Sequence, residues 1–151
     1  MGPSAIRRHR RRSVSGAAML FAPWTKHYQS VWDNRAANTD VPLWARVVCL
    51  AYGRHEANGH ANFHRGDLSW ILGKPPTSGE DFKRRDRHTI RDAIRVAVKY
   101  GWLAEGSCSE CLVVPEGAIT GPLGDPNKPC VVHQRKRAQK ARKAQQMSLA
   151  S

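Results

Sequence analysis

The architecture of the chain depends on the segment CSECLVVPEGAITGPLGDPNKPCVVH, residues 108–133. It begins with a Cys-x-x-Cys pair, Cys108 and Cys111, and ends with a Cys-x-x-His pair, Cys130 and His133, across an 18-residue spacer. Each pair can bend round one side of a tetrahedral ion while the spacer closes the loop. Three thiolates and one imidazole fill four positions, so the pattern predicts a structural Zn²⁺ that has no vacant position for water.

The spacer is rich in residues that prevent regular structure: Pro115, Gly117, Gly121, Pro122, Gly124, Pro126 and Pro129. Two disulfides, or four unrelated side chains, are the alternatives to a metal. The histidine in the fourth position and the lack of a convincing secretion signal argue against disulfides. His133 is the weakest member of the set, because a nearby residue could replace it.

The net charge of +13 is concentrated at the two ends of the chain. From Asp33 to His133 the chain carries 13 Lys/Arg and 12 Asp/Glu, so its central part is almost neutral. Basic blocks stay solvated and gain order when they meet phosphate, which makes nucleic acid the expected partner. The basic residues of the two ends are Arg7, Arg8, Arg10, Arg11 and Arg12, and Arg135, Lys136, Arg137, Lys140, Arg142 and Lys143.

A membrane is the weaker alternative for this charge. Neither end has the apolar face of an interfacial helix, and no stretch approaches the roughly 20 apolar residues of a membrane span. Residues 16–22 superficially resemble an export signal, but no small-x-small cleavage pattern follows them. We therefore expect a cytoplasmic protein, in the host cytoplasm and with the nucleoid if it is phage-encoded, with no small-molecule substrate evident.

Hydrophobic periodicity predicts two helices in the first part of the central region. One covers about residues 42–55, opened by Pro42, and a shorter one follows Asp67 and stops at Gly73. A brief strand over residues 60–63 lies between them. The expected core of the domain consists of Leu43, Val47, Leu50, Leu68, Ile71, Ile90 and Ile94.

A third helix is predicted from about residue 86 to residue 100. Arg87, Arg91 and Arg95 step every four residues along one face, and apolar residues occupy another. After Gly101 an extended segment at residues 102–103 is predicted to form a hairpin with residues 112–114. Helix, strand, helix, turn, helix and hairpin is the order of a winged helix-turn-helix, whose third helix enters the major groove.

Two segments carry a resemblance to a known fold family. RHTIRDAIRVAVKYGWL, residues 87–103, resembles the recognition helix and wing entry of winged helix-turn-helix domains. GHANFHRGDLSWILG, residues 59–73, resembles their short strand and second helix. The chain departs from the family pattern in a longer turn before the third helix and in a metal knuckle at the wing.

More closely, a Trp-x-Lys strand, a Trp-Asp pair and PLWARVVCLAYG at residues 42–53 are similar to small helix-turn-helix proteins of actinobacterial phages and to plasmid or phage replication-initiator domains. The resemblance implies binding of double-stranded DNA by a transcriptional regulator or replication accessory. The fold class is then α+β, mainly α, with residues 1–21 as a flexible arm, 22–114 as the winged domain, 108–133 as the zinc loop and 134–151 as a basic tail. Both tails are expected to be disordered or to fold on binding.

The predicted DNA contacts lie on and just before the third helix: Lys83, Arg84, Arg85, Arg87, His88, Thr89, Arg91 and Arg95. Residues in the first turn of a recognition helix reach base edges, and the preceding basic residues contact phosphates. An arginine stripe is also simply a soluble helix face, and Thr89 could instead serve the helix start. The five tryptophans are expected to pack in or at the edge of the core, and Cys49 to be a buried small hydrophobe.

No catalytic site is expected. A zinc deaminase requires an HxE element together with PCxxC, and this chain has neither arrangement. His55, His60 and His64 straddle a predicted turn without a matched carboxylate pair, which argues against a second metal centre and a nuclease. The surviving alternative is a zinc-stabilised protein that binds structured RNA, since basic tails do not distinguish RNA from DNA. The sequence leaves a homodimer open.

Overall fold

The computed structural model describes residues 25–119 and 124–149. They form five helices and one two-stranded antiparallel sheet, which confirms the α+β, mainly α, class. None of the described helices has the length and apolar character needed to cross a lipid bilayer. In chain order the elements are α1 (Gln29–Ala37), α2 (Leu43–Arg54), β1 (His60–Asn62), α3 (Asp67–Ile71), α4 (Arg87–Lys99), β2 (Cys111–Val113) and α5 (Val131–Leu149).

The main core lies between α2, α4 and one face of the sheet. The periodic apolar positions of α2 and α4 meet there because both helices bury one stripe of side chains. Six of the largest fully buried side chains are Leu50, Leu68, Leu72, Ile90, Leu103 and Leu112. Cys49 is also buried in this core, as predicted.

The sheet register determines which side chains face away from this core. Ala61 pairs with Leu112, and both are completely buried against the helices. Successive side chains of a strand point to opposite faces. The flanking pairs, His60 with Val113 and Asn62 with Cys111, therefore share the other face of the sheet, on the side of α5.

Helix α1 was not predicted, because its sequence has no amphipathic pattern. It is held by tertiary contacts. The Nε of buried Arg46 donates a hydrogen bond to the carbonyl of Ala36 at 2.7 Å, near the negative end of the α1 dipole. A Cβ on Gly53 would lie 2.9 Å from Asp33 Oδ1, so glycine allows α1 and α2 to approach closely. Trp32 of α1 packs against Tyr52 with ring centroids 5.2 Å apart.

The segment between α3 and α4 is a loop whose two ends are hydrogen-bonded to each other. Lys74 and Lys83 exchange two backbone hydrogen bonds and so close the loop at its base. Phe82 stacks on Trp70 at 5.1 Å and lies over Gly73, where a Cβ would come within 2.3 Å of the ring. The proline-rich stretch is not helical, and the longer turn expected before the third helix brings the chain directly to the start of α4.

The predicted wing hairpin is only partly present. Residues 102–103 do not form a strand, because the N–H groups of Trp102 and Leu103 both donate to the carbonyl of Ala97 and close the end of α4. One backbone bond links Ala104 to Val113, and Cys108 pairs with Cys111 at the tip. In the described part of the chain, β2 forms its sheet with β1, so the winged arrangement stays a prediction.

The basic tail after His133 was predicted to be disordered or to fold on binding, and the structure has helix α5 there instead. Its composition of Ala, Gln, Lys and Arg consists of strong helix formers. It lacks an apolar stripe, which is why periodicity gave no signal, and all its side chains from residue 134 to residue 148 are exposed. Two buried residues at its start, Cys130 and Val132, connect it to the body.

Asp86 caps α4, and its substitution should weaken the fold in a pH-dependent way. Its carboxylate accepts hydrogen bonds from the backbone N–H groups of His88 at 2.7 Å and Thr89 at 3.2 Å. These two bonds hold the pKa of the Asp86 carboxyl below its ordinary value, and the bond from Thr89 makes the larger contribution. A carboxyl with a lowered folded-state pKa stabilises the fold above its unfolded pKa and stops doing so as the pH falls through the folded pKa.

We expect Asp86→Ala to lower Tm near neutral pH, and the difference in Tm from wild type to narrow as the pH falls below about 4, the ordinary pKa of an aspartate, and through the lower pKa of the folded state. Asp86→Asn keeps a capping acceptor and should lose less stability. Thermal unfolding followed by circular dichroism over this pH range measures both. A gap that stayed constant with pH would contradict a role for the ionised carboxylate.

Candidate metal centre and adjoining basic groove

Four side chains from three elements converge between the sheet and α5. They are His60 of β1, Cys111 of β2, Cys130 just before α5 and His133 in its first turn, and their ligand atoms all lie within 4.8 Å of one another. Both cysteines are buried, and both histidines are partly buried. Two thiols and two imidazoles are a donor set that suits a divalent transition metal.

The hydrogen bonding of His133 is compatible with a metal site. Its Nε2 lies 3.1 Å from the carbonyl of Gly106. A carbonyl can only accept, so Nε2 carries the proton and Nδ1 has a bare lone pair. His133 Nδ1 is nevertheless buried without a hydrogen-bond partner within the described residues. A ring that donates one N–H to a carbonyl and directs its other nitrogen to an ion is the usual arrangement of a metal-bound histidine.

The other three donors are in mutual contact. His60 Nδ1 lies 3.3 Å from Cys111 Sγ, and Cys111 Sγ lies 3.7 Å from Cys130 Sγ. The two imidazole rings meet edge to face with centroids 5.0 Å apart. Cys130 Sγ is 3.3 Å from Asn62 Oδ1 and donates to it as a thiol. As a thiolate it would accept instead, and the Asn62 amide would turn to present its NH₂ group.

Protonation in the cluster is governed mainly by burial. Burial raises the pKa of the Cys111 thiol, and its hydrogen bond with Cys130 raises it further. Burial also lowers the pKa of His60, and the neighbouring His133 acts in the same direction. The His60 imidazole is therefore suited to ligation in its neutral form, whereas the Cys111 thiol requires a nearby cation before it ionises. Metal binding at this site must release protons.

The cluster differs from the predicted ligand set at one position. Cys111, Cys130 and His133 come together as predicted, but His60 stands where Cys108 was expected. Cys108 lies beside the cluster, partly buried, and packs against it. The turn between the two cysteines is closed by two backbone hydrogen bonds, from Cys108 N–H to the carbonyl of Cys111 and the reverse. The four-membered group forms without the Cys108 sulfur.

Spacing alone could not identify His60, because it lies 51 residues before Cys111. The signal is the alternation of the strand. His60 and Asn62 flank the apolar Ala61, so they must leave the core face together and face whatever covers the sheet. Pairing of this strand with the one that follows the Cys-x-x-Cys turn would have placed His60 near Cys111.

A basic groove of about 650 Å³ adjoins the metal cluster. One wall is the exposed face of α4, with Arg87, Arg91 and Arg95, and the other is the turn at residues 107–110. Arg65 and Lys136 complete its positive lining, and Glu110 is the acidic residue among those that line it. Glu110 also forms an ion pair with Arg135 of α5. The groove therefore brings α4, the Cys108 turn and the start of α5 together.

The three arginines of the stripe differ in whether their guanidinium groups have a partner. Arg95 pairs with Asp92 at 3.1 Å on the exposed surface of α4. Within the described residues, the guanidinium groups of Arg87 and Arg91 have no hydrogen bond or ion pair. Thus two of the three guanidinium groups are unengaged at the mouth of the groove.

The basic residues before α4 have structural contacts. Arg85 donates from its Nε to the carbonyl of Leu72 at 3.2 Å and is partly buried. The Arg84 guanidinium lies over the Trp70 ring at 3.9 Å, and Lys83 pairs with Glu80 at 3.5 Å. Arg85 is therefore engaged in positioning α4.

His88 and Thr89 are exposed in the first turn of α4 and use their backbone N–H groups for the Asp86 cap. Their side chains remain accessible. The arginines of the N-terminal arm, and Trp24, lie outside the described residues. Trp32 and Trp44 pack at the edge of the core as predicted, whereas Trp70 and Trp102 are about half exposed.

No family model matches the chain, and no curated protein or solved structure shows significant similarity to it. The resemblance to winged helix-turn-helix proteins therefore has no support from these comparisons, and the chemistry of the site must carry the argument.

Substitutions should separate the four converging ligands from Cys108. We expect the protein to bind one metal ion, and Cys111→Ser, Cys130→Ser or His60→Ala to weaken binding by more than about 100-fold, beyond the effect of losing an outer partner. Cys108→Ser should retain near wild-type affinity. Titration with Co²⁺, whose thiolate charge-transfer absorption scales with the number of bound sulfurs, measures this. A lower absorption in Cys108→Ser with no change in His60→Ala would contradict the assignment.

Proposed function

We propose that this protein binds double-stranded DNA through α4, with a structural Zn²⁺ that fixes the turn beside that helix. The role is that of a transcriptional regulator or replication accessory. The observation that carries the proposal is the basic groove, in which an exposed arginine stripe faces a turn built next to the metal cluster. Proteins that read duplex DNA place such a helix in the major groove and use nearby basic residues to contact phosphates.

The distances within the cluster support zinc. Tetrahedral Zn²⁺ with Zn–S bonds of about 2.3 Å places two sulfurs about 3.8 Å apart, and Cys111 and Cys130 are 3.7 Å apart. With Zn–N bonds of about 2.0–2.1 Å, the sulfur-to-nitrogen separation is about 3.5 Å, close to the 3.3 Å between Cys111 and His60. Four protein ligands leave no position for water, which favours a structural ion over a catalytic one.

Duplex DNA is favoured over structured RNA because the arginines of α4 are exposed on one face of a well-packed helix. Ile90, Ala93, Ile94 and Ala97 bury the adjacent face of the helix in the core, so the position of the exposed arginine stripe is fixed by that packing. An α-helix fits the wide major groove of B-DNA, whereas the major groove of A-form RNA is too narrow to be read by side chains. Basic tails alone would suit either nucleic acid.

Arg91→Ala should weaken duplex binding. If Arg91 contacts a phosphate, the slope of log K against log salt concentration should fall by about 0.9, and affinity should drop for all sequences alike. If it contacts a base, the loss should be about 1–3 kcal/mol and specific to the selected site. Binding isotherms at several salt concentrations, with a duplex selected from a random pool, distinguish the two.

Lys99→Ala is the matched control, because Lys99 is exposed on the same helix but does not line the groove. It should bind nearly as wild type does. Equal, weak and sequence-independent binding by wild type and Arg91→Ala would refute recognition by α4. Tighter binding of a structured RNA by wild type, unaffected by Arg91→Ala, would favour the RNA alternative.

Removal of the metal should loosen the sheet and α5 while the helical core remains partly formed. The cluster side chains form a small group of their own, centred on Cys111, Cys130 and Val132, apart from the main core. We expect a chelator to reduce hydrogen-exchange protection of β2 and the first turn of α5, with smaller changes in α2 and α4. Unchanged protection of β2 would show that no ion stabilises it.

A further inference from the structure

Helix α5 has a basic side whose orientation indicates a role for this helix in addition to the DNA contact proposed for α4. Lys136, Lys140 and Lys143 recur at intervals of four and three residues, so they share one face of the helix. Ala138, Ala141 and Gln145 occupy the opposite face. The helix is thus divided into a basic side and a neutral side, although it has no apolar stripe.

The basic side opens onto the same groove as α4. Lys136 lines that groove together with Arg87, Arg91 and Arg95. Lys140 and Lys143 follow Lys136 on the same face, and both are exposed. With Arg65, five positively charged residues line the groove, against Glu110 as the negatively charged one. These like charges repel one another, and a polyanion placed there would relieve this repulsion. The electrostatics therefore favour a ligand that contacts both helices together.

The cluster and one ion pair tie α5 to the body at its first turn. Cys130 and His133 hold it through the metal cluster, and Arg135 holds it through Glu110 on the Cys108 turn. Beyond that turn its side chains are exposed. With 19 residues the helix is about 28 Å long. The direction of this long exposed helix is therefore set by a few side chains at its start: Cys130 and His133 of the cluster, buried Val132, and Arg135.

We propose that α5 is a second DNA-contacting element, which lays its Lys136–Lys140–Lys143 face against the phosphates of the duplex that α4 reads, in a direction fixed by the metal cluster. This inference rests on the proposed function of α4. Lysines on an exposed helix bind phosphates as point charges without reading bases. The contact of α5 therefore extends the site and raises affinity, while specificity comes from α4.

The test is a hydroxyl-radical footprint of the full chain, with metal bound, on a duplex selected from a random pool. Wild type should protect a central region and a flank. The variant Lys136→Ala/Lys140→Ala/Lys143→Ala should lose the flank, keep the centre and show a salt slope lower by about 2.7, or 0.9 for each phosphate contact. Alanine is a stronger helix former than lysine, so α5 itself should persist, as circular dichroism can verify.

Lys99→Ala, which removes an exposed charge that does not line the groove, is again the control. It should leave the flanking protection in place. Chelation of the metal from wild type should abolish the flanking protection while the central protection persists, because α5 then loses its fixed direction.

If the flanking protection and the salt slope are unchanged in the triple lysine variant, the role of α5 is overturned while that of α4 stands. If instead the triple variant loses binding and Arg91→Ala does not, α5 contacts DNA and recognition by α4 is wrong. A flank that survives chelation would overturn the orienting role of the metal.

Discussion

The meeting of two thiols and two imidazoles between the sheet and α5 is the interaction on which the rest of the arrangement depends. His60 and Cys111 come from paired strands, while Cys130 and His133 come from the start of α5. Without an ion, the buried thiols and His133 Nδ1, which has no hydrogen-bond partner in the described part of the chain, would be held together at a cost in free energy. A divalent cation would bind all four donor atoms and so make the cluster stabilising. We call these four side chains with their ion the clamp.

The clamp and the helical core have separate tasks. Leu50, Ile90 and Leu112 belong to a core that assembles α2, α4 and the inner face of the sheet. That core includes none of the four clustered side chains, and it holds the arginine face of α4 toward solvent. In contrast, α5 is a polar helix of 19 residues without an apolar stripe, so it lacks the packing of an amphipathic face that gives most helices in proteins their stability. The ligands at its start therefore attach α5 to the body of the protein, as apolar packing attaches α2 and α4.

Helices with strong periodicity were predictable from the sequence. The burial pattern of α2 and α4 follows their apolar spacing, and Asp86 precedes α4 as a typical capping residue. Helix α1 was missed because it depends on Arg46 and Gly53, which are distant in sequence, and α5 was missed because propensity without an apolar stripe gives no periodic signal. Three of the four clustered ligands follow from the Cys-x-x-Cys and Cys-x-x-His spacing. The fourth, His60, arrives through strand pairing, which spacing within one loop cannot reveal.

The central claim is that one metal ion is held by two sulfurs and two nitrogens, with His60 among the ligands. X-ray absorption at the zinc edge of the purified protein tests it most directly. The arrangement described here predicts two sulfurs at about 2.3 Å and two nitrogens at about 2.0–2.1 Å around the ion. Three sulfurs and one nitrogen would place Cys108 in the site and contradict the role of His60, and a first shell dominated by oxygen would contradict the clamp itself.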